Sequence, residues 1–342
     1  MQSSPPDGRP FTVLQSFPEP RPTTNPYVVM LRDALDEVPG TRVLTFTWRR
    51  ALTARYDAFH AHWPEVLVDG ASPVKKAVRQ VLFALFLLRL RLTRRPLVRT
   101  VHNLELPAGI SRREVALLRW AERWTTLRIR INETTELDGG TPVETVVHGH
   151  YRDWYAPHPR RERRRGRLSF VGQVRHYKGV DGLIDAFRQT TDDELTLRVA
   201  GRPTSAELAT RLRSAAGPDP RITLALDFLT DAELVAEVSE AELVVLPYRE
   251  MHNSGGALAA LSLDTPVLVP DNAANRRLAQ EVGPGWVHTF RPPLSGDDLT
   301  GTLARLRAQP PAAPPDLSRR EWVDAGRAHA AAYRRAGAAL RR

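Results

Sequence analysis

A chain of 342 residues is long enough for two α/β domains of ordinary size. It contains no cysteine, which excludes a disulfide framework and any thiolate metal site. Its formal net charge of +10 predicts attraction to a polyanion (nucleic acid, anionic lipid or a phosphorylated substrate), unless the arginines only reflect an Arg/Ala/Pro-rich composition.

The opening residues, MQSSPPDGRP, lack the basic-then-apolar order of a signal peptide, so a cytoplasmic chain is expected. Phe11–Ser16 (FTVLQS) reads as the first strand, and the Pro- and Asn-bearing segment after it as a loop. A helix is expected from Asn25, with Pro26 at its first position and Tyr27, Val28, Leu31 and Leu35 on one face. Arg42–Thr47 is the second strand and Tyr56–His60 the third, running into HAHWPE. His60 and His62 alternate, so an extended backbone points them the same way. No third ligand lies nearby, and no metal is expected. A strand-end His62 or Glu65 instead suits a general base for a hydroxyl, although a lone His is as readily structural.

Lys75–Arg95 (KKAVRQVLFALFLLRLRLTRR) has an apolar stretch too short to span a bilayer, flanked by Lys75, Lys76, Arg79, Arg89, Arg91, Arg94 and Arg95. Two readings fit it: a helix lying on an anionic membrane surface, or one buried against a sheet with solvated basic ends. The first makes the chain peripheral on the inner face of the plasma membrane. Pro96–His102 is another strand, and Ser111 to Glu114 has the spacing of a capping box opening a helix through Trp124. Leu127–Asn132 and Glu144–Val147 are further strands. Asp153–Arg167, with its run RRERRRGR, reads as a solvated connector; without interleaved aromatics, no nucleic-acid binding is expected.

Leu168–Phe187 (LSFVGQVRHYKGVDGLIDAF) is the most informative stretch. An apolar strand ends at Gly172, a basic loop follows, and Val180, Leu183, Ile184 and Phe187 then recur at helical spacing. Strand, loop and helix make half of a βαβ unit, and in open parallel sheets ligands bind on such loops. Arg175 and Lys178, with glycines that admit close approach of backbone N–H groups, suit a diphosphate. Further strands are expected at Leu195–Ala200, Ile222–Leu226 and Leu243–Pro247, with a helix capped by Thr230 or Asp231 before the last. Asn253, Ser254, Gly255 and Gly256 then open a helix whose free N–H groups suit a phosphate. A helix capped by Ser295 and an Ala/Arg-rich final helix complete the chain.

FVGQVRHYKGVDGLIDAF resembles the start of the donor-binding domain of GT-B glycosyltransferases, in the family 4-like group typified by sucrose synthase and bacterial mannosyltransferases. The shared pattern is F-x-G-x-x-x-x-x-K-G followed by L-I-x-A-F, from Phe170 to Phe187. The family usually has Arg after the first glycine; here Gln173 stands there, and Arg175 takes its place. Leu197–Gly201 (LRVAG), Leu243–Arg249 (LVVLPYR) and Ser254–Val267 (SGGALAALSLDTPV) resemble later parts of the same domain. The segments HGHYRDWY, VRHYKG and LPYRE-x-x-x-SG are similar to bacterial GDP-mannose-using β-mannosyltransferases of xanthan-type assembly.

The resemblance implies an α/β, GT-B fold: two Rossmann-like domains facing a central cleft. Residues 1–155 would be the acceptor domain, 156–318 the nucleotide-sugar domain, and 319–342 a helix crossing back to the first. It implies donor contacts at Gly172, Arg175, Lys178, Gly201, Tyr248, Asn253, Ser254, Gly255 and Gly256. His102 would lie beside the donor sugar and Glu250 near it, while Asn25, Tyr27 and His150 are implied acceptor contacts. Many retaining members carry a second Glu eight residues after the first; Leu258 or Ala259 stands there, which leaves ribose recognition and stereochemistry open. The expected activity is transfer of a sugar, mannose from GDP-mannose first, to a hydroxyl on a membrane-associated lipid-linked glycan. No cofactor or metal is implied beyond the nucleotide sugar. The alternatives are a retaining transferase using another UDP- or GDP-sugar on a soluble acceptor, and a non-catalytic scaffold of the same fold on a membrane.

Overall fold

The computed structural model of the protein describes residues 9–107, 109–137, 139–249, 251 and 255–340. The chain divides into two compact units, 1–149 with 320–342, and 150–319.

In the first unit, β1 (Phe11–Gln15), β2 (Thr41–Leu44), β3 (Ala58–Ala61), β4 (Leu97–Val101), β5 (Thr125–Arg130) and β6 (Val143–Thr145) form one parallel sheet in the order β2-β1-β3-β4-β5-β6. The connecting helices are α1 (Pro26–Asp36), α2 (Trp48–Thr53), α3 (Glu65–Val68), α4 (Pro73–Leu92) and α5 (Arg112–Arg123). Local chemistry starts most of them. Asn25 accepts from the Tyr27 N–H ahead of Pro26, Ser72 caps α4, and Ser111 and Glu114 close a reciprocal capping box on α5. The central strands are buried along nearly their whole length because helices cover both faces of the sheet. α4 and α5 supply one apolar layer through Phe83, Phe86, Leu87, Leu90 and Leu118. The other layer is led by Tyr27, Val28, Leu31 and Leu35 of α1.

The second unit opens with a short helix, α6 (Arg152–Tyr155), and then alternates strictly: β7 (Arg167–Val171), α7 (Val180–Arg188), β8 (Thr196–Ala200), α8 (Ala206–Ala216), β9 (Ile222–Ala225), α9 (Asp231–Glu240), β10 (Leu243–Val245), α10 (Gly255–Ser262), β11 (Val267–Pro270), α11 (Ala273–Val282), β12 (Val287–Phe290) and α12 (Gly296–Ala308). Its parallel sheet runs β12-β11-β10-β7-β8-β9, the doubly wound order of dinucleotide-binding domains, with the strand order reversing between β7 and β10. The final helix, α13 (Trp322–Ala339), belongs to the first unit: it packs along α1 and reaches β4 and β5. Its alanines at 325, 330, 332 and 336 are buried there and let the helix backbones come close.

The join between the units falls after Gly149, six residues before the break at 155 read from the sequence. Tyr151 and Tyr155 are buried, and the Tyr151 N–H donates to Ser262 Oγ within the second unit, which draws α6 into it. The run RRERRRGR is no free connector. Arg160 pairs with Asp264 at 2.7 Å, Arg161 with Glu240 at 3.2 Å, and the Gly166 N–H donates to Glu242, so the segment is stitched along its own unit.

Candidate active site

The carboxyl end of β7 meets that of β10 where the strand order of the second unit reverses, the place where open α/β sheets bind ligands. The backbone there is packed too tightly for side chains. Gly201, past β8, has φ of 143°, and a Cβ on it would lie 2.0 Å from the Gly172 carbonyl oxygen. Gly179 has φ of 62° and would bring a Cβ to 2.3 Å from the Pro247 carbonyl oxygen. Both positions demand glycine, and both join the loop after β7 to its neighbours.

Lys178 ends a single 3₁₀ turn in that loop, His176–Lys178. Its ammonium lies 5.2 Å from the centroid of the Tyr248 ring and 5.9 Å from that of Phe170. Burial, aided by Arg175, pulls its pKa down to about 8. Among the described residues no carboxylate pairs with it. A half-buried cation without a carboxylate suits an anionic ligand. Arg175 is exposed, and its Nε donates to Gln173 Oε1 at 3.0 Å, so Gln173 holds the guanidinium rather than standing in for it. Gly255 and Gly256 open α10. Glu250, Asn253 and Ser254, also expected here, lie outside the described residues.

The first unit holds a second constellation, again where the strand order turns back, between β1 and β3. β3 ends at Ala61, so His60 lies in the strand and His62 just past it, with ring centroids 4.1 Å apart. His60 Nε2 lies 2.7 Å from Thr100 Oγ1, and its Nδ1 lies 2.7 Å from the Tyr333 hydroxyl of α13. Gln15, the last residue of β1, donates through Nε2 to that hydroxyl at 3.3 Å and approaches His62 Nε2 through Oε1 at 3.1 Å. His62 Nδ1 lies 3.2 Å from His102 Nε2. The His102 ring stacks on Trp63 at 4.2 Å and meets the edge of Tyr27 at 5.1 Å. Burial pushes the pKa of His102 down to about 3, those of His148 and His329 to about 4, and those of His60 and His62 well below the ordinary imidazole range. The cluster is therefore neutral at pH 7. It offers directional hydrogen bonds to hydroxyls, not charge.

The remaining expected residues fall in different places. Asn25 caps α1, and Tyr27 is buried between His62, His102, His148 and Trp322. Glu65 opens α3, where burial raises its pKa; no hydrogen bond among the described residues ties it to the histidines. His150 is buried in the second unit, and its Nδ1 accepts from the Arg152 N–H at the start of α6. Asn25 and Tyr27 belong to the first unit. Among the described residues no group of three His, Asp or Glu side chains could hold a metal ion.

Both readings of 75–95 capture part of α4. Phe83, Phe86, Leu87 and Leu90 are buried, while Val74, Val78, Val81, Leu85, Leu88 and Leu92 form a stripe on the opposite side, each 43% to 74% exposed. Four of the seven basic residues have hydrogen-bonded or ion-paired partners: Arg89 donates to the carbonyls of Ala51 and Ala54, Arg79 to the Asp69 carbonyl at 2.7 Å, Lys76 pairs with Glu114 at 2.9 Å, and Arg95 with Asp57 at 3.2 Å. Lys75, Arg79, Arg91 and Arg94 are exposed beside the stripe or just past its end. No helix among the described residues is long and apolar enough to cross a membrane.

Gln15, Trp63, Thr100 and Tyr333 are absent from any sequence-based site. Gln15 had one signal: a polar residue closing an otherwise apolar strand. His329 and Tyr333 had another, being large polar rings four apart on an alanine-rich helix face.

Residues 165–305 match the family model described as "Glycosyl transferases group 1". Over 323 residues the chain is 43% identical to GDP-mannose:glycolipid 4-beta-D-mannosyltransferase of Xanthomonas campestris pv. campestris, covering 94% of this chain and 92% of the relative. Among solved structures, HepE of Anabaena in complex with UDP superposes with a TM-score of 0.60 at 14% identity, covering 97% of each chain. Sucrose-phosphate synthase of Thermosynechococcus elongatus gives 0.58 at 14% identity, covering 97% of this chain and 95% of that one. At such identities the structural likeness speaks for the fold alone, which is GT-B.

Proposed function

The chain is a glycosyltransferase of the group 1 family, and from that premise we propose that it moves mannose from GDP-mannose to a hydroxyl of a glycolipid. The observation that carries this reading is the 43% identity, sustained over 94% of the chain, to a mannosyltransferase whose name states that donor and that acceptor class. In this proposal the second unit binds the donor. Lys178, Arg175 and the positive end of the α10 dipole meet the charge of the leaving diphosphate, with no metal among the requirements. EDTA should then leave transfer unchanged.

Transfer from an α-linked nucleotide sugar to a β-linked product inverts the anomeric carbon. A single displacement of that kind needs a base for the attacking hydroxyl. Both nitrogens of His62 have hydrogen-bond partners, which leaves Glu65 as the first base to test; burial raises its pKa and so strengthens it. Glu65→Gln should abolish most transfer while leaving GDP binding intact.

The acceptor's lipid places the enzyme at a membrane surface, and the exposed stripe of α4 with its flanking cations is the proposed contact. Anionic vesicles should sediment the protein at low salt, less so as salt rises, and less again for Val81→Asp with Leu85→Asp. The decisive test is mannosyl transfer itself. Labelled GDP-mannose and a bacterial glycolipid fraction should give a labelled, lipid-extractable product, and GDP should raise Tm where UDP does not. Stabilisation by UDP alone, or transfer of a different sugar, would overturn the donor assignment.

A further inference from the structure

We propose that Gln15 and His62 are positioning residues that fix the tautomer of His102, leaving its Nδ1 bare to accept a hydrogen bond from a substrate hydroxyl. The proposal deepens the transferase reading and rests on it for the identity of the hydroxyl.

The argument starts from an inventory of donors and acceptors. A neutral imidazole has one N–H and one bare nitrogen. A side-chain amide likewise has one end that only donates and one that only accepts. Gln15 lies at the carboxyl end of β1 with its Nε2 toward the Tyr333 hydroxyl and its Oε1 toward His62 Nε2. An amide oxygen cannot donate, so His62 carries its proton on Nε2 and is bare at Nδ1. The neighbour of that bare Nδ1, 3.2 Å away, is His102 Nε2, which must then carry the proton. His102 is left bare at Nδ1, and among the described residues that nitrogen has no hydrogen-bond partner.

The other end of the amide is fixed as firmly. The Tyr333 hydroxyl, receiving from Gln15 Nε2, gives its own proton to His60 Nδ1, and His60 passes its remaining N–H to Thr100 Oγ1. Each of these contacts then pairs one donor with one acceptor, from Thr100 on β4 through α13 back to β1 and β3. Burial supports the scheme by keeping each imidazole neutral, since a charged ring would have two N–H groups and no direction. Stacking on Trp63 fixes the plane of the His102 ring, so the bare nitrogen has a defined direction as well as a defined state. The relay spans the point where the first sheet reverses its strand order, the position at which such sheets meet ligands.

The test has two arms. Long-range ¹⁵N–¹H correlation on the full-length protein with labelled histidine should show His102 as the Nε2–H tautomer and His62 the same. An Nδ1–H signal assigned to His102 overturns the proposal, whatever the activity. The second arm is Gln15→Met against Gln15→Glu. The methionine removes the acceptor facing His62, and we expect kcat to fall roughly 100-fold with KM for GDP-mannose little changed. The glutamate keeps that acceptor, at the expense of the bond to Tyr333 and with a charge that draws protons to His62, and should recover part of the rate, more of it as pH rises. An unchanged kcat in folded Gln15→Met, or equal losses in both variants, overturns the role of Gln15. If wild-type protein transfers no mannose, the functional reading fails while the tautomer is still decided by the first arm, which also serves if Gln15→Met does not fold.

Discussion

At the switch point of the second unit, the proposed binding surface comes from two adjoining loops: two cations after β7, and a backbone packed so tightly that glycine is compulsory at Gly179 and, past β8, at Gly201. At the switch point of the first unit, the surface is neutral and built of side chains gathered from β1, β3, β4, α1 and α13. The same position in two doubly wound sheets thus carries groups of opposite chemistry. A diphosphate demands charge and N–H groups, which a contiguous loop supplies cheaply. A hydroxyl demands a bare lone pair at a set angle, which takes a supporting network to hold.

The difference can be broken most severely at Gly201. Gly201→Ala forces a Cβ onto the Gly172 carbonyl at a φ that other residues avoid, and we expect a loss of about 3 kcal/mol or more in the second unit. Calorimetry should show that unit's transition falling and GDP binding lost, with the first unit little changed. Lys178→Ala should do the reverse to stability. It removes a desolvated cation, so Tm should hold or rise, while GDP affinity drops on the order of 100-fold by titration calorimetry. Retained affinity would move the diphosphate elsewhere.

Tyr333→Phe probes the neutral side. It strands His60 Nδ1 and Gln15 Nε2 inside the first unit, at a cost of roughly 1–3 kcal/mol, and should leave GDP affinity as it was. The mildest probe is pH. The buried histidines resist protons that the unfolded chain accepts near 6.5, so the unfolded state binds more protons in acid. Stability of the first unit should therefore fall as pH drops from 6.5 toward 4 and level off above 6.5. The proposed donor site should answer in the other direction: the Lys178 ammonium loses its proton as pH rises through about 8, and GDP affinity should decline there. Scanning both properties across pH 4 to 9 separates the two sites without a mutation.

What the sequence determined by itself was whatever depends on neighbours in the chain. Apolar runs placed the strands, and Asn25, Ser111, Thr230 and Ser295 announced their helices, because a cap acts within three residues of itself. The strand, basic loop and helix around Gly172, Arg175, Lys178 and Gly179 were legible for the same reason, since those four residues lie within eight positions. The stripe on α4 was half legible: the apolar residues were plain, but only tertiary packing decided that Phe83 and Phe86 face the core while Val81 and Leu85 face outward, and that Arg89 turns inward. The histidine relay was decided by the tertiary structure alone. Gln15 and Tyr333 stand 318 residues apart, and no local rule of propensity or spacing reaches that far. They meet because parallel strands carry their carboxyl ends to one edge of the sheet, and because an alanine-rich helix from the end of the chain packs close enough to deliver a hydroxyl there.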